Sequence, residues 1–144
     1  MEKRGLIMLI IMTMLFSLFG CNKAEIAIST SFADKITLEV EPYTYAGEER
    51  EGFIVEIAEN DSVTLKSIFD ETATKGTPSC PWGGVKLVFS SREKSLALYP
   101  AGDDCDTVRV EHNGQNYYFH LGDDANRTMR EILTEYGVVW PYGV

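Results

Sequence analysis

Apolar and polar residues alternate along several short stretches of the chain, which is the pattern of a β-strand with one buried face. Residues 36–41 and 53–57 alternate in this way, and so do residues 85–89 and 96–99. The polar run 91–94 separates the last two stretches and predicts a hairpin loop between them.

A second hairpin is predicted around Asn113 and Gly114, because this dipeptide favours the type I′ turn that joins two antiparallel strands. Alternating residues 107–112 and 115–121 flank the turn. Pairing across it places four large apolar side chains on one face, namely Val108, Val110, Tyr117 and Phe119. The other face then carries Arg109, Glu111, Asn116, Tyr118 and His120.

Two segments have the apolar spacing of a helix. The run Asn60-Asp61-Ser62 offers an N-cap to a short helix over 62–72, and Asp123-Asp124 begins a second helix. The apolar stripe of that second helix is Ala125, Met129, Ile132, Leu133 and Tyr136. Residues 42–52 and 73–84 are rich in polar residues, Gly and Pro, so we predict loops there.

The order of elements is therefore β-β-α-β-β-β-β-α, which predicts an α+β fold. Consecutive hairpins indicate an antiparallel sheet of about six strands, with two helices packed on one face. The chain of 144 residues is long enough for one such domain. Its net charge of −9 argues against a nucleic-acid partner.

The strand register also bears on the cysteines. If Ser90 faces Ser95 across the first hairpin, the same register continued past Pro81 and Pro100 brings Cys80 opposite Cys105. An isolated cysteine pair outside the cytosol usually forms a disulfide, so we predict one here. A metal site and a reactive thiol are the alternatives, although few His or Cys residues are near enough to complete either.

The N-terminus has the parts of an export signal. Lys3 and Arg4 precede Gly5–Phe19, fifteen uncharged residues of which ten are Leu, Ile or Met. That run is short for a membrane-spanning helix. The stop Leu18-Phe19-Gly20-Cys21 resembles the lipobox of bacterial lipoproteins, although Phe19 is larger than the usual residue there.

The resemblance over residues 1–21 implies that residues 1–20 are a signal peptide and that Cys21 carries a diacylglycerol thioether, whose two acyl chains are fatty acids such as palmitate. These chains would hold the protein in the lipid bilayer on the extracytoplasmic face of the cell membrane. We then expect residues 21–34 to be a flexible tether and 35–144 to be a single α+β domain. An ordinary signal peptide cut nearby, or an uncleaved anchor, remains the alternative.

Residue chemistry gives little support for catalysis. His112 and His120 are predicted on different faces of the sheet, and no catalytic motif accompanies either residue. We expect no metal and no cofactor, and we explain the acidic run 103–106 as solvated charge rather than a calcium site. The alternative is a small envelope hydrolase that uses His120 and nearby acids.

Aromatic side chains are the stronger indication of function. Seven aromatic residues lie in predicted loops, at strand ends, on the second sheet face or in the tail: Tyr43, Tyr45, Trp82, Tyr99, Tyr118, Trp140 and Tyr142. Exposed aromatic rings suit binding to an envelope protein, a peptide or a glycan. We expect Trp82, Tyr99, Tyr118 and Trp140 to form such a site. The alternative is that Trp82 packs over the disulfide and Trp140 over the helix.

A second resemblance covers residues 78–144. It rests on short motifs: Cys80-Pro81-Trp82-Gly83, Leu98-Tyr99-Pro100-Ala101, Cys105 with Val108-Arg109-Val110, and Tyr136-Gly137-Val138. These look like an uncharacterised extracytoplasmic domain of bacterial lipoproteins, which implies no activity or ligand. The sequence as a whole therefore predicts a tethered binding or interaction module, with a hydrolase or a structural, shielding partner of a membrane protein as alternatives.

Overall fold

The fold is known from a computed structural model, which describes residues 24–76, 78 and 80–140. This part of the chain forms ten strands and two helices. In chain order they are β1 (Glu25–Ala27), β2 (Lys35–Val40), β3 (Tyr43–Tyr45), β4 (Glu48–Arg50), β5 (Phe53–Glu56), α1 (Glu59–Ile68), β6 (Thr72–Lys75), β7 (Val85–Ser90), β8 (Ser95–Pro100), β9 (Thr107–His112), β10 (Gln115–His120) and α2 (Asp123–Glu135).

The main sheet is antiparallel and contains eight of these strands in the order β1-β6-β10-β9-β8-β7-β2-β5. In the β7–β8 hairpin Leu87 faces Leu98, which is the predicted register. The turn between β9 and β10 has φ values of 52° at Asn113 and 71° at Gly114, as a type I′ turn requires. Both predicted hairpins are confirmed, and so is the mixed helix-and-sheet class.

One face of the sheet and both helices share a single hydrophobic core. Leu65 of α1 and Met129 and Leu133 of α2 are buried in the same cluster as the inward-facing residues of the strands. The ring of Phe69, just after α1, lies 5.6 Å from the ring of Phe89 between their centres. Burial of this continuous apolar face is the main favourable contribution to folding.

The prediction of about six strands was too low, because two segments predicted to be loops, and part of the predicted tether, form strands. Segment 42–52 contains β3 and β4, a two-stranded hairpin outside the main sheet. Its turn has φ values of 50° at Ala46 and 81° at Gly47. This is again the type I′ conformation, but Ala is an unfavourable residue at the first central position, so the sequence signal is weak. Segment 73–84 likewise contains most of β6, which lies between β1 and β10.

The expectation of a flexible tether over 21–34 was wrong for its described part, residues 24–34. Strand β1 pairs with β6, and Ile28, Thr30 and Ala33 are buried. The Thr30 backbone N–H donates to Asp70 Oδ1 at 2.8 Å, and the Thr30 hydroxyl donates to the Lys66 carbonyl at 3.0 Å. Because this pairing is with distant residues, local composition gave no sign of it.

Helix α1 begins at Glu59, three residues before the predicted start, so Asn60-Asp61-Ser62 is not its N-cap. The cap position is Ala58, which has no side chain able to accept a hydrogen bond. Tyr136 fulfils that role instead, because its hydroxyl accepts from the Ala58 N–H at 2.8 Å and donates to Asp61 Oδ2 at 2.7 Å. The end of α2 thus caps the start of α1.

Candidate functional site

The sheet face opposite the core, called the open face below, places Tyr118, Arg109 and Tyr99 side by side. Arg109 is directly opposite Tyr118 on β10 and Tyr99 on β8. The guanidinium carbon of Arg109 lies 4.4 Å from the ring centre of Tyr99 and 5.5 Å from that of Trp82. The ring centres of Trp82 and Tyr118 are 5.4 Å apart. These four residues form the Arg109 cluster, in which three of the four predicted binding aromatics meet.

Trp82 reaches this cluster from a loop rather than from a strand. Cys80 and Cys105 stand in disulfide geometry, with Cα atoms 6.3 Å apart. The Gly102 N–H donates to the Pro81 carbonyl at 2.9 Å, and Trp82 forms an isolated β-bridge with Ala101. The disulfide and the backbone contacts therefore join the loop before β7 to the loop after β8. These connections place the indole ring over the open face.

A cavity of about 270 Å³ lies beside the cluster, lined by Arg109, Trp82 and Tyr99 together with charged residues of β2 and β7. Lys86 and Glu39 face each other across these strands and form an ion pair. The hydrogen bond to Glu39 is the main reason that the pKa of Lys86 is raised above its usual value. This pair forms one wall of the cavity.

The lining next to this pair, two positions further along the same two strands, requires a glycine. The Glu41 N–H donates to the Gly84 carbonyl at 2.9 Å, so the two backbones run close together. A Cβ atom added at Gly84 would lie 2.5 Å from the Cβ atom of Glu41, which is far inside van der Waals contact. Gly84 therefore lets the Glu41 side chain lie along the edge of the cavity.

Arg109 is held by rings rather than by counter-charges. Its Nε atom is buried and has no hydrogen-bond partner among the described residues. Four ion pairs occur in the described part of the chain, and Arg109 belongs to none of them. Stacking on two aromatic faces stabilises a guanidinium, but it leaves the hydrogen-bonding capacity of its edge unused.

Trp140, the fourth predicted binding residue, is not part of this cluster. The guanidinium carbon of Arg130 on α2 lies 4.2 Å from the Trp140 ring centre. Arg130 also donates hydrogen bonds to the carbonyl oxygens of Ala101, Asp103 and Cys105. Burial lowers the pKa of Arg130, while nearby Asp104 and Asp103 act in the opposite direction. Trp140 therefore packs against the helix, which is the structural alternative for this residue.

His120 does have an acidic neighbour, but the arrangement does not form a proton relay. Asp106 Oδ1 lies 2.8 Å from His120 Nδ1, and the Thr107 hydroxyl lies 3.2 Å from the same nitrogen. In a catalytic triad the orienting acid and the nucleophile contact different nitrogens of the histidine ring, whereas Asp106 and Thr107 both contact Nδ1. The hydrogen bond with His120 is the largest of the effects that lower the pKa of Asp106.

One group of side chains in the described residues has metal-like spacing. A sulfur of Cys80, a sulfur of Cys105 and a carboxylate oxygen of Asp103 lie within 4.8 Å of one another. Sulfur atoms joined in a disulfide have no thiolate to offer a metal, so this group is not a ligand set in the oxidised protein. Asp103 instead accepts a hydrogen bond from the Cys105 N–H at 3.0 Å.

Sequence reasoning missed the charged part of the site. Arg109 and Tyr118 were placed on one face, but Arg109 was not proposed to bind anything, and Glu39, Glu41 and Lys86 were not singled out. The pairing of β2 with β7 would have been needed to bring Glu39 opposite Lys86. No local signal identifies that pairing, because residues 41–84 separate the two strands.

Comparison with known proteins yields no relative: no family model, no curated protein and no solved structure matches the chain. Among the described residues, no helix is long and apolar enough to cross a membrane. The two resemblances drawn from residues 1–21 and 78–144 therefore stay predictions.

Proposed function

We propose that the protein is a membrane-anchored binding module of the bacterial cell envelope, and that the Arg109 cluster is its binding surface. One observation carries the proposal: Trp82, Tyr99 and Tyr118 come from separate stretches of chain and meet on the sheet face that the core leaves open. Aromatic and arginine side chains are enriched where proteins bind partners. The partner is an envelope protein, a peptide or a glycan, and no cofactor is needed.

The anchor is the acylated Cys21, on the extracytoplasmic face of the membrane. Two acyl chains give firm attachment, whereas an ordinary cleaved signal would leave none. We expect the full-length protein to sediment with membranes, and intact mass spectrometry of that form should show a chain that begins at residue 21 and carries the lipid there. Cys21→Ser should carry no lipid and should keep residues 1–20. A membrane-bound parent protein without lipid on residue 21 would contradict the anchor.

The binding surface is tested by cross-linking in intact cells. A photo-reactive residue is placed at Asn116, which is exposed on the open face, or at Val63, which is exposed on α1. We expect a discrete adduct from position 116 and none from position 63. Trp82→Ala and Tyr99→Ala should remove the adduct, and Tyr45→Ala on the β3–β4 hairpin is the matched control. Equal adducts in all variants, with folding confirmed by circular dichroism, would refute this surface.

The hydrolase alternative has one supporting observation, the contact between His120 and Asp106. We do not favour it, because both polar neighbours of His120 meet the same ring nitrogen. His120→Ala should leave the adduct from position 116 unchanged. A turnover that is present in the parent protein and absent in His120→Ala would favour the enzyme instead.

A further inference from the structure

We infer that the cavity beside Arg109 binds a terminal carboxylate, supplied by the chain end of a peptide partner. The inference rests on the proposed function, since it names the chemistry that the Arg109 cluster recognises.

The cavity is lined by two cations and two carboxylates, but only one of the cations forms an ion pair with a described residue. Lys86 is neutralised by its ion pair with Glu39, and Glu41 acts on Lys86 as a further negative charge. Arg109 has no ion pair with any described residue. The positive charge that remains for a ligand is therefore the guanidinium. In a chain of net charge −9, one isolated cation selects a single anionic group rather than a polyanion.

The rings hold the guanidinium in place before any ligand arrives. The guanidinium carbon of Arg109 lies near the ring centres of both Tyr99 and Trp82, and no hydrogen bond to a described residue occupies its N–H groups. A carboxylate is the planar group that matches the edge of a guanidinium with two parallel bonds. The same contacts cover ring faces that a sugar would need for stacking, and Tyr118 also lies against Trp82. This arrangement favours a carboxylate over a neutral glycan.

The cavity measures about 270 Å³, slightly less than a usual ligand pocket of about 300–1,000 Å³. It is bounded by the Glu39–Lys86 pair and by the backbone contact between Glu41 and Gly84. A space of this volume holds about one residue, which is what the end of a peptide chain presents. Capture of a C-terminal carboxylate is an established way for proteins to bind peptides.

The test is a titration of the isotope-labelled domain, followed by NMR, with N-acetylglycylalanine and with its C-terminal amide. We expect the free acid to shift the signals of Trp82 and Tyr99, and the amide to bind at least about tenfold more weakly because one charged hydrogen-bonding group is lost. Arg109→Lys should weaken acid binding by a similar factor, since an ammonium cannot form two parallel bonds. Glu41→Gln should strengthen it by removing a nearby negative charge.

The matched control is Arg127→Gln, which removes an exposed cation on α2 and should leave acid binding unchanged. Equal binding of acid and amide would overturn the inference. Equal binding of acetate would assign the cavity to small acids, and binding of galacturonate without the peptide would assign it to acidic sugars. Both results would contradict a peptide chain end. If no carboxylate binds while the cross-link at position 116 still depends on Trp82, this inference fails and the proposed function stands.

If Arg109→Lys does not fold, Glu41→Gln decides the matter, because an unchanged or weaker affinity for the acid would count against a carboxylate ligand.

Discussion

Two arginines in this fold lie against aromatic rings, and they differ in what their nitrogen atoms contact. Arg130 lies against Trp140 and donates through Nε and Nη2 to Asn126 Oδ1 and to three carbonyl oxygens of the 101–105 loop, while its buried Nη1 has no partner among the described residues. Arg109 lies against two rings, and no side-chain hydrogen bond or ion pair of this residue occurs in the described part of the chain. The two sites share a stacking geometry but not a hydrogen-bonding role.

The difference separates a structural arginine from one with spare binding capacity. Hydrogen bonds from a charged donor to buried carbonyls fasten a loop, and losing the donor leaves those carbonyls without partners. Stacking alone positions a guanidinium and contributes about 0.5–2 kcal/mol. Arg130 should therefore matter for stability, whereas Arg109 should matter for binding. Substitutions at the two arginines, and at the disulfide that lies between their sites, test this difference between stability and binding.

The largest effect is expected from removing the Cys80–Cys105 connection. The chain-entropy model gives about 3 kcal/mol for a closed loop with a sequence separation of 25. Both arginine sites should loosen, because Cys80 precedes the Trp82 loop and the Cys105 carbonyl accepts from Arg130. Urea unfolding of the Cys80→Ser, Cys105→Ser double variant measures the loss. Reduction of the parent protein should reproduce it, and a loss below about 1 kcal/mol would contradict the role of the disulfide.

The next effect compares the two arginines directly. Arg130→Gln should lower the free energy of unfolding by roughly 2–3 kcal/mol, because the 101–105 loop loses its charged donor. Arg109→Gln should lower it by about 0.5–2 kcal/mol, the smaller loss of the two, because only ring stacking is lost. Urea unfolding at neutral pH distinguishes the two. Equal losses would show that the contacts do not divide the roles in this way.

The smallest effect concerns Asp106, which holds the far end of the same loop through His120. Because the pKa of Asp106 is lowered in the folded protein, its contribution is present above the ordinary carboxyl pKa of about 4 and is lost as pH falls below that value. Asp106→Asn should cost less than about 1 kcal/mol at pH 5, since the pair is exposed, and less again at pH 3, because the contribution is lost as pH falls towards the lowered pKa of Asp106. A stability difference that does not change between these pH values would exclude the titration of Asp106.

Local sequence patterns predicted the hairpins, whose two strands are neighbours along the chain. The β7–β8 and β9–β10 hairpins were predicted with their register, because alternation and turn residues specify both within a short stretch of chain. Strands β1 and β6 were missed, because each is short and finds its partner far along the chain. The site follows the same division: the open face was predicted to carry Tyr118 and Arg109, but their meeting with Trp82 depends on how a distant loop is fastened.

Strand β1 also limits how far the domain can stand from a membrane. If the chain is attached at Cys21, only three residues separate the anchor from Glu25, the first residue of the sheet. A fully extended chain of that length spans about 10 Å, several-fold less than the reach that residues 21–34 would give as a free tether. The domain would then lie close to the lipid headgroups. Its net negative charge would be repelled by anionic lipids at that distance. The domain could then contact only partners that come close to the bilayer, so the short connection to the anchor would restrict which partners it can bind.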